Sequence, residues 1–362
     1  MSEPERPPVR VLRPALPTAE ALLPYLRRID ASGIYSNHGP LALEFAARLG
    51  QLTGTPGVTL TSSGTTAIEV ALRAVAPAGG TCLMPSFTFI ATAHAVVNAG
   101  LSPVLADVDA GSLMLTPAVA RAAIATLPQA PAAILPVSAF GAPPDLAGWE
   151  AFRAENGIPV VHDAAAAATA LHGAGDAPAC VSLHATKVLG IGEGGAILTR
   201  DTALSGRMTA MTGFGFAGRE RVSTVRGGNF RMSEYAAAVG LAALDALPGR
   251  LAHLRELALG YRRRLQGRRS RLQDGAGEAW QTMTLNVLLP EGEAEATTAR
   301  LDAAGVEWRR WWGLGTHRHP AFSDLPRTAL DTTEALAPRV VGLPFHTALQ
   351  EDDMDRVVAC LP

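Results

Sequence analysis

The sequence has 362 residues, of which 48% are hydrophobic and 18% are charged. This composition is typical of a globular protein with a large core, and it excludes an intrinsically disordered chain. The formal net charge is −2, with acidic and basic residues mixed along the chain. The charge therefore indicates neither a nucleic-acid-binding groove nor a basic membrane-facing surface. The length favours two domains over one.

The cysteines and the N-terminus bear on the cellular compartment. Cys82, Cys180 and Cys360 are far apart and form no CxxC or Cys/His spacing, so the sequence predicts neither a disulfide framework nor a metal site. The charged, proline-rich N-terminus contains no apolar leader segment, and no later run is long enough to span a membrane. We therefore expect a cytoplasmic protein with three buried cysteines.

From Pro56 onward, short apolar runs alternate with helical patterns. The strand-like runs are GVTLTS, TCLMP, PVLADVD, AAILPVSAF and IPVVHDAA. Their alternation with helices is typical of right-handed βαβ units, so the sequence predicts an α/β fold with a mixed, mostly parallel sheet covered by helices on both faces. Ligands in such sheets bind beyond the carboxyl ends of the strands. We expect a site at residues 63–66, 86–89, 163 and 182–187.

The pattern changes after residue 231. Residues 231–268 form a long alanine- and leucine-rich helical pattern, which indicates a helix that connects two domains. The runs WQTMTLNVLLP and EDDMDRVVACL beyond it predict a smaller α+β domain. We place the boundary near Leu247 to Arg250. This gives a large domain over residues 1–248, with an N-terminal arm, and a small domain over residues 249–362.

The run SLHATKVLGIGEGGAILTR places Lys187 at the end of strand-like residues, just before four glycines. A lysine desolvated at such a position has a lowered pKa and can form a Schiff base. The glycines would let a flat ligand lie close to the backbone. A Walker loop is excluded because its lysine follows its glycines. A salt-bridge role for Lys187 stays open.

The run TLTSSGTTAIEVAL predicts a strand that leads directly into a helix. Backbone N–H groups, hydroxyls and the helix dipole converge at Ser62 to Thr66 and predict an anion site. The same letters also fit a capping box with Thr65 or Thr66 as N-cap and Glu69 behind it, and both interpretations can hold. No GxSxG motif supports a serine hydrolase.

Asp163 ends the run IPVVHD. A buried carboxylate needs a cationic partner, and a protonated pyridine nitrogen would be one. The alternative is that Asp163 caps a helix that follows it. A Schiff-base lysine, an anion site at a helix start and a strand-end aspartate together predict an enzyme that uses pyridoxal phosphate.

The sequence resembles the sugar-nucleotide aminotransferases of the DegT type, a branch of the fold-type I pyridoxal phosphate enzymes. The resemblance runs through most of the chain and rests on the order and spacing of its segments. These are SNHGP, LEFAARLGQLTG, TSSGTTAIEVAL, MPSFTFIATAHAVVNAGLSPVLADVD, VVHDAA, SLHATKVLGIGEGGAILT, GGNFRMSEYAAAVGLAAL, HRHPAF and VVGLPFHTALQEDDMDRVV.

The resemblance implies a role for each matching residue. Lys187 would carry the cofactor and shuttle the proton, and Asp163 would pair with the pyridine nitrogen. Phe89, which could otherwise be a core residue, would stack on the ring. The remaining matches concern the phosphate: Gly64, Thr65 and Ser182 of one subunit, and Asn229 reaching the cofactor of the neighbouring subunit. A homodimer with shared active sites follows.

Two positions depart from the family pattern. Ala166 stands where a glutamine usually contacts the phenolic oxygen of the cofactor, and His162 stands where glutamate is common. Some relatives lack the lysine and catalyse dehydration, and the presence of Lys187 argues against that branch.

We predict an aminotransferase that moves an amino group from glutamate to a nucleotide-linked keto-sugar. Two alternatives stay open: a pyridoxal phosphate-dependent sugar dehydratase or isomerase, and a non-catalytic sensor on the same fold. The segment VEWRRWWGLGTHRHPAF, with His317 and His319, could contact the substrate, although Trp308, Trp311 and Trp312 could instead pack on the long helix. The IYSNHGP loop could also line the sugar pocket.

Overall fold

The computed structural model describes residues 7–217 and 220–362, so the first residues of the N-terminus lie outside the described part. The helices are α1 Ala19–Ser32, α2 Pro40–Thr53, α3 Gly64–Val75, α4 Ala91–Asn98, α5 Pro117–Ile124, α6 Leu146–Asn156, α7 Thr202–Thr212, α8 Glu234–Arg264, α9 Ala294–Ala303, α10 Asp331–Leu336 and α11 Glu351–Ala359. The strands are β1 Gly57–Thr61, β2 Thr81–Pro85, β3 Ser102–Ala106, β4 Ala133–Ile134, β5 His162–Asp163, β6 Ala179–Ser182, β7 Gly195–Thr199, β8 Phe216–Ala217, β9 Val222–Ser223, β10 Arg271–Leu272, β11 Leu285–Leu288 and β12 Val340–Leu343.

The large sheet has the strand order β3-β2-β4-β5-β6-β7-β1. Strand β2 pairs in parallel with β3 and β4, and β5 pairs in parallel with β6. Parallel bridges at Ile134–Val160 and Val137–Asp163 join these two groups. Strand β7 runs antiparallel to both of its neighbours, β1 and β6. The sheet is therefore mixed but mostly parallel, which confirms the predicted fold class.

Helices cover both faces of this sheet. Neighbouring strand residues point to opposite faces, and in β7 Leu198 joins one apolar cluster while Ile197 joins another. The cluster around Leu198 includes Phe45 of α2 and Leu241 of α8, whereas the cluster around Ile197 includes Ile68 of α3. Because both faces are buried, the strands read as continuous apolar runs in the sequence.

The long helix α8 links the two halves of the chain. It spans 31 residues, and the predicted domain boundary falls inside it at Pro248. Beyond α8, the strands β10, β11 and β12 form a separate antiparallel sheet. One later segment returns to the large sheet, where Arg327 bridges Leu105 at the edge strand β3.

Glu234, at the first position of α8, caps a different helix. Its carboxylate is fully buried and accepts hydrogen bonds from the backbone N–H groups of Leu41 (2.8 Å) and Ala42 (2.9 Å) at the start of α2. The N-cap of α2 is Gly39, which has no side chain to satisfy these amides. Glu234 therefore holds α2, and the loop before it, against the long helix.

The alanine-rich stretch after Asp163 does not form the predicted helix. Residues 164–178 form turns, because backbone groups at the start of the stretch pair with strand β6 and the N–H of Gly173 donates to the Thr53 carbonyl (2.7 Å). The few hydrogen bonds within the stretch, such as that from Ala167 to the Ala164 carbonyl (2.8 Å), do not continue into a helix. The N–H of Ala164 donates to the Cys180 carbonyl (2.8 Å), and the Ala165 carbonyl accepts from the N–H of Ser182 (3.1 Å). High helix propensity is overridden here by tertiary hydrogen bonds.

All three cysteines are buried and carry free thiols. Burial raises the pKa of the Cys180 thiol well above its ordinary value. In the described part of the chain, every helix is too short or too polar to cross a lipid bilayer.

Candidate active site

A cavity of about 550 Å³ opens at the carboxyl ends of the large-sheet strands. It is where the rule for α/β sheets places a ligand. Six of the seven site residues predicted from the sequence line it, namely Gly64, Thr65, Phe89, Asp163, Ser182 and Lys187. The seventh, Asn229, does not line this cavity.

Lys187 follows β6 in a tight turn. Its backbone N–H donates to the His184 carbonyl (2.8 Å), and the carbonyl of the next residue, Val188, accepts from Arg250 of α8 (2.7 Å). Part of the Lys187 surface is open to the cavity, but the surrounding protein lowers the pKa of its amine, and nearby Asp163 only partly opposes this effect. The neutral, nucleophilic form of the amine is thus more accessible than in water.

The salt-bridge interpretation of Lys187 finds no support. The ion pairs within 4.0 Å in the described part of the chain are all formed by arginine or histidine with a carboxylate. Lys187 is also the only lysine in the sequence, against 30 arginines. That the chain has one lysine and places it in this cavity is a sequence signal for its role. It is visible only from the whole sequence and not from the residues around Lys187.

Asp163 is held in a fixed orientation at the end of β5. The Thr92 hydroxyl donates to Oδ2 (2.7 Å), and the N–H of Ala165 donates to Oδ1 (3.1 Å). Burial raises the pKa of the carboxyl, while these hydrogen bonds and Lys187 oppose the shift. A buried carboxylate without a salt-bridge partner suits a cationic ligand atom such as a protonated pyridine nitrogen. Since no helix follows Asp163, its role as a helix cap is excluded.

Thr92 is a site residue that sequence reasoning missed. It lies on the first turn of α4, 71 residues before the carboxylate that it contacts, and it is buried. Its hydroxyl also pairs with Thr88 (2.8 Å). The only available sequence signal was its position three residues after Phe89, which places both near the start of one helix.

The anion site forms at the N-terminus of α3. Ser63, rather than the predicted Thr65 or Thr66, is the N-cap, and its Oγ accepts from the N–H of Thr66 (3.1 Å). Glu69 lies too far along to close a capping box and pairs instead with Arg73 (3.1 Å). With the Thr66 amide capped, the first two amides of the helix, at Gly64 and Thr65, stay available to an anion.

Gly64 is needed for the close approach of α3 to β6. A Cβ at this position would come within 2.7 Å of the Ser182 Cβ and 3.0 Å of its Cα. Only glycine therefore lets the hydroxyl of Ser182 stand beside the free amides of the helix. The result is a cup of amides and hydroxyls that is suited to a phosphate.

The four glycines after Lys187 have a different role from the predicted one. None of them belongs to the cavity wall of the described structure. Instead, a Cβ at Gly190 would lie 2.6 Å from the Ala185 carbonyl oxygen, and one at Gly195 would lie 2.4 Å from that of Ser63. Gly192 has a φ of +101°. Gly190 and Gly195 thus let the chain pack backbone against backbone, and Gly192 supplies a left-handed turn residue, which together fix the turn that carries Lys187.

Phe89 is not a core residue. It is 56% exposed, lines the cavity and stacks on no other aromatic ring in the described structure. An aromatic face left open at a cavity wall is available to a flat ligand ring.

The two departures from the family pattern have distinct surroundings. Ala166 lines the cavity and offers it only a methyl group. His162 does not line the cavity, and its ring packs edge-on against Trp149 with both nitrogens buried without a hydrogen-bond partner. Burial lowers the pKa of His162 to about 4, so its ring is neutral at pH 7.

The tryptophan-rich segment of the C-terminal half is divided between two roles. Arg309, Arg310, Trp311 and Trp312 line the cavity. Trp312 stacks on Phe140, in the short 3-10 turn that follows β4, with ring centroids 4.0 Å apart, rather than on α8. His317 and His319 do not reach the cavity, and the buried Nδ1 of His317 instead pairs with the Ser86 hydroxyl (2.7 Å).

Asn229 and the IYSNHGP loop meet on the surface, away from the cavity. Arg231 connects them, because it donates to Oδ1 of Asn229 (2.8 Å) and to Oδ1 of Asn37. Asn229 is exposed, and both Asn37 and His38 have a positive φ. None of these residues lines the cavity of their own chain.

The groups in the cavity match the reactive groups of pyridoxal phosphate one by one. The lysine amine suits an aldehyde, the buried carboxylate suits a ring nitrogen, the cup suits a phosphate, and the open phenylalanine suits a ring face. Together with the mixed α/β fold, they define a pyridoxal phosphate-dependent transferase of fold type I. The chain belongs to the DegT/DnrJ/EryC1/StrS aminotransferase family, whose model matches residues 18–362.

Individual relatives support this assignment over nearly the whole chain. The erythromycin biosynthesis sensory transduction protein EryC1 of Saccharopolyspora erythraea is 33% identical over 348 residues, 92% of this chain and 93% of that protein. A putative pyridoxal phosphate-dependent aminotransferase from Bacillus cereus superposes with a TM-score of 0.90 at 28% identity, covering 98% and 99% of the two chains. DesI, crystallised with its TDP-sugar product, gives 0.88 at 32% identity, covering 98% and 92%.

Proposed function

We propose that this protein transfers the amino group of glutamate to the keto group of a nucleotide-linked sugar and so makes an amino-deoxy sugar. The observation that carries the proposal is the position of Lys187, whose amine has a lowered pKa and shares one cavity with the buried carboxylate of Asp163. Bound pyridoxal phosphate would supply the electron sink and the temporary store of the amino group.

In this proposal, each residue does one task. Asp163 keeps the ring nitrogen protonated, Phe89 packs on the ring face, and the amides of Gly64 and Thr65 bind the phosphate. The Lys187 Nζ takes the proton from the α-carbon of the amino acid and later delivers a proton to the sugar carbon that receives nitrogen. A group that is base and acid in turn needs a pKa near neutrality, which burial favours.

We propose that residues 1–248 and 249–362 act as two domains that meet at the cavity. Residues 282–284 and 309–312 of the second part face the strand ends of the first. A groove of about 580 Å³, lined among others by Arg10, Trp308 and Arg309, shares several wall residues with the cavity. The wall also contains Asp302 and Glu307, and Glu307 pairs with Arg10 (3.0 Å), which leaves Arg309 and the tryptophan rings to contact a nucleoside diphosphate.

The relatives support a nucleotide sugar as substrate and the retention of catalysis. The product described with DesI is a TDP-sugar. The name of EryC1 instead describes a sensory protein, which favours the sensor as a second candidate function. A sensor has no need for a lysine amine with a lowered pKa opposite a buried carboxylate.

We place the reaction in the cytoplasm, which suits the three free thiols.

The loaded protein should convert keto-sugar nucleotides to amino-sugar nucleotides when glutamate is supplied. We expect mass spectrometry to find the aminated product and an equal amount of 2-oxoglutarate, because the amino group passes between the two. Loss of water from the sugar without gain of nitrogen would instead identify a dehydratase. If neither product forms from any keto-sugar nucleotide tested, the sensor is the better assignment.

We further propose a homodimer in which Asn229 completes the active site of the partner subunit. Asn229 is exposed and does not line the cavity of its own chain. Large apolar side chains near it are exposed at Tyr35, Tyr235 and Phe214, and the guanidinium of Arg231, which contacts Asn229, lies 5.3 Å from the Phe214 ring centroid. The rings of Tyr35 and Tyr235 stack on each other at 6.2 Å, so they form one apolar surface. Such a surface is typical of a subunit interface.

Mixing two inactive variants tests the shared site. Asn229→Ala is expected to weaken cofactor binding, and Lys187→Ala is expected to abolish turnover. In a hybrid dimer, the site with an intact Lys187 receives an intact Asn229 from its partner, so co-refolding should restore native sites, about a quarter of the total at statistical mixing. If Asn229 served its own chain, the mixture would recover nothing beyond the average of its two components.

A further inference from the structure

Ser138 has a hydroxyl that the described structure leaves without a partner. The residue follows β4, and its backbone N–H donates to the carbonyl of Asp163 on the neighbouring strand (2.9 Å). Only 4% of its surface is exposed, its Oγ forms no hydrogen bond, and it lines the cavity. Ser138 thus presents an unused hydrogen-bonding group beside the aspartate.

The buried threonine hydroxyls of the cavity wall, unlike that of Ser138, already form hydrogen bonds within the protein. Thr92 donates to Asp163 (2.7 Å), Thr88 pairs with Thr92 (2.8 Å), and Thr282 donates to the Phe140 carbonyl (2.7 Å). A buried hydroxyl without a partner destabilises the folded protein, since it has lost its hydrogen bonds to water. One that faces a cavity can regain a hydrogen bond from a ligand.

Pyridoxal phosphate has four polar groups to satisfy: the ring nitrogen, the aldehyde, the phosphate and the ring hydroxyl. The proposed function assigns the first three to Asp163, Lys187 and the cup at Gly64. The ring hydroxyl, which is next to the aldehyde carbon and readily loses its proton, still needs a donor. Ala166 on the same wall has no polar side-chain atom to offer.

We propose that the Oγ of Ser138 donates a hydrogen bond to the ring oxygen of bound pyridoxal phosphate. This inference rests on the proposed function, because it takes the cofactor to be anchored by Asp163 and Lys187. Ser138 would then contact the cofactor directly, and its hydroxyl would stabilise the negative charge on the ring oxygen. With that charge partly neutralised, the Lys187 nitrogen bound at the neighbouring aldehyde carbon would give up its proton at a lower pH.

Ser138→Ala should therefore alter the cofactor affinity and visible absorption of the loaded protein without lowering the stability of the unloaded protein. We expect the midpoint of the pH-dependent change in visible absorption to rise by about one pH unit and cofactor affinity to fall about tenfold, as loss of a hydrogen bond to a charged atom predicts. The melting temperature of the unloaded protein should stay the same or rise, because the removed hydroxyl has no partner there.

Two further variants make the test specific. Thr169→Val is the matched control, since Thr169 also has a buried hydroxyl without a partner but does not line the cavity. It should leave midpoint and affinity unchanged. In the double variant Ser138→Ala with Ala166→Gln, the new amide can reach the same oxygen and should return the midpoint toward that of the native protein.

Three results would overturn the proposal: an unmoved midpoint in Ser138→Ala, an unloaded variant less stable than the native protein, or a double variant that behaves like the single one. Failure of the proposed function is distinguishable, because the native protein would then form no amino-sugar nucleotide from glutamate and any keto-sugar nucleotide tested. Failure of this inference alone would leave that amination intact.

Discussion

Replacing Lys187 with alanine is expected to abolish both the covalent attachment of the cofactor and turnover. The chain contains no second lysine, so no neighbouring amine can substitute for it. Because one amine serves as nucleophile, base and acid, we expect turnover to fall by about 10⁴-fold or more. The measurement is amination of a keto-sugar nucleotide, with the visible spectrum of the loaded protein recorded beside it.

Borohydride reduction of the loaded native protein gives an independent readout. Digestion and mass spectrometry should find the reduced cofactor on one peptide, the peptide that contains Lys187. The control is Lys187→Arg, which keeps a cation but cannot lose its proton, and it should be as inactive as Lys187→Ala. Full turnover in either variant, or a label on another peptide, would remove the basis of the proposed function.

Replacing Asp163 with asparagine is expected to separate activity from stability. The variant keeps the shape of the side chain and its contact with Ala165, but it loses the charge that keeps a ring nitrogen protonated. We expect turnover to fall about 10²–10³-fold, because a fixed charge aimed at the reacting system is lost. Without cofactor, the same variant should be more stable than the native protein by about 1–2 kcal/mol, since a desolvated carboxylate is removed.

The stability difference should depend on pH in a defined direction. Burial raises the pKa of Asp163 in the folded, unloaded protein above that of the unfolded chain. Below about pH 3.9 the carboxyl is protonated in both states, so the charge makes no difference to stability. As the pH rises, the unfolded chain releases its proton first, so the native protein loses stability relative to Asp163→Asn until the folded-state pKa is passed.

Urea unfolding of both unloaded proteins at several pH values checks this expectation. The difference in unfolding free energy should be smallest in acid and largest at neutral pH. With pyridoxal phosphate bound, the order should reverse, because the ring cation then compensates the carboxylate of the native protein. A difference that is the same at every pH would mean that packing rather than charge separates the two proteins.

Much of the fold was predictable because its signals are local. The buried strands of the large sheet appear as short apolar runs, and the helices between them appear as patterns of helical period. The same locality explains one error. The alanine-rich stretch 164–178 has helical propensity, but Ala164 and Ala165 bond to strand β6 and Gly173 bonds to Thr53, and a pattern within the stretch contains no information about those partners.

The candidate site likewise has features that local sequence predicts and features that only the folded chain creates. The sequence by itself determined the chemical groups, because a lysine before glycines, a strand-end aspartate and a run of Ser, Thr and Gly at a helix start are each visible in a few adjacent letters. Only the tertiary structure decided which groups meet: Thr92 behind Asp163, Ser182 against Gly64, an unpaired Ser138 in the cavity wall, and Asn229 outside it. These contacts join residues that are distant in sequence, and chain folding rather than local propensity sets their distances.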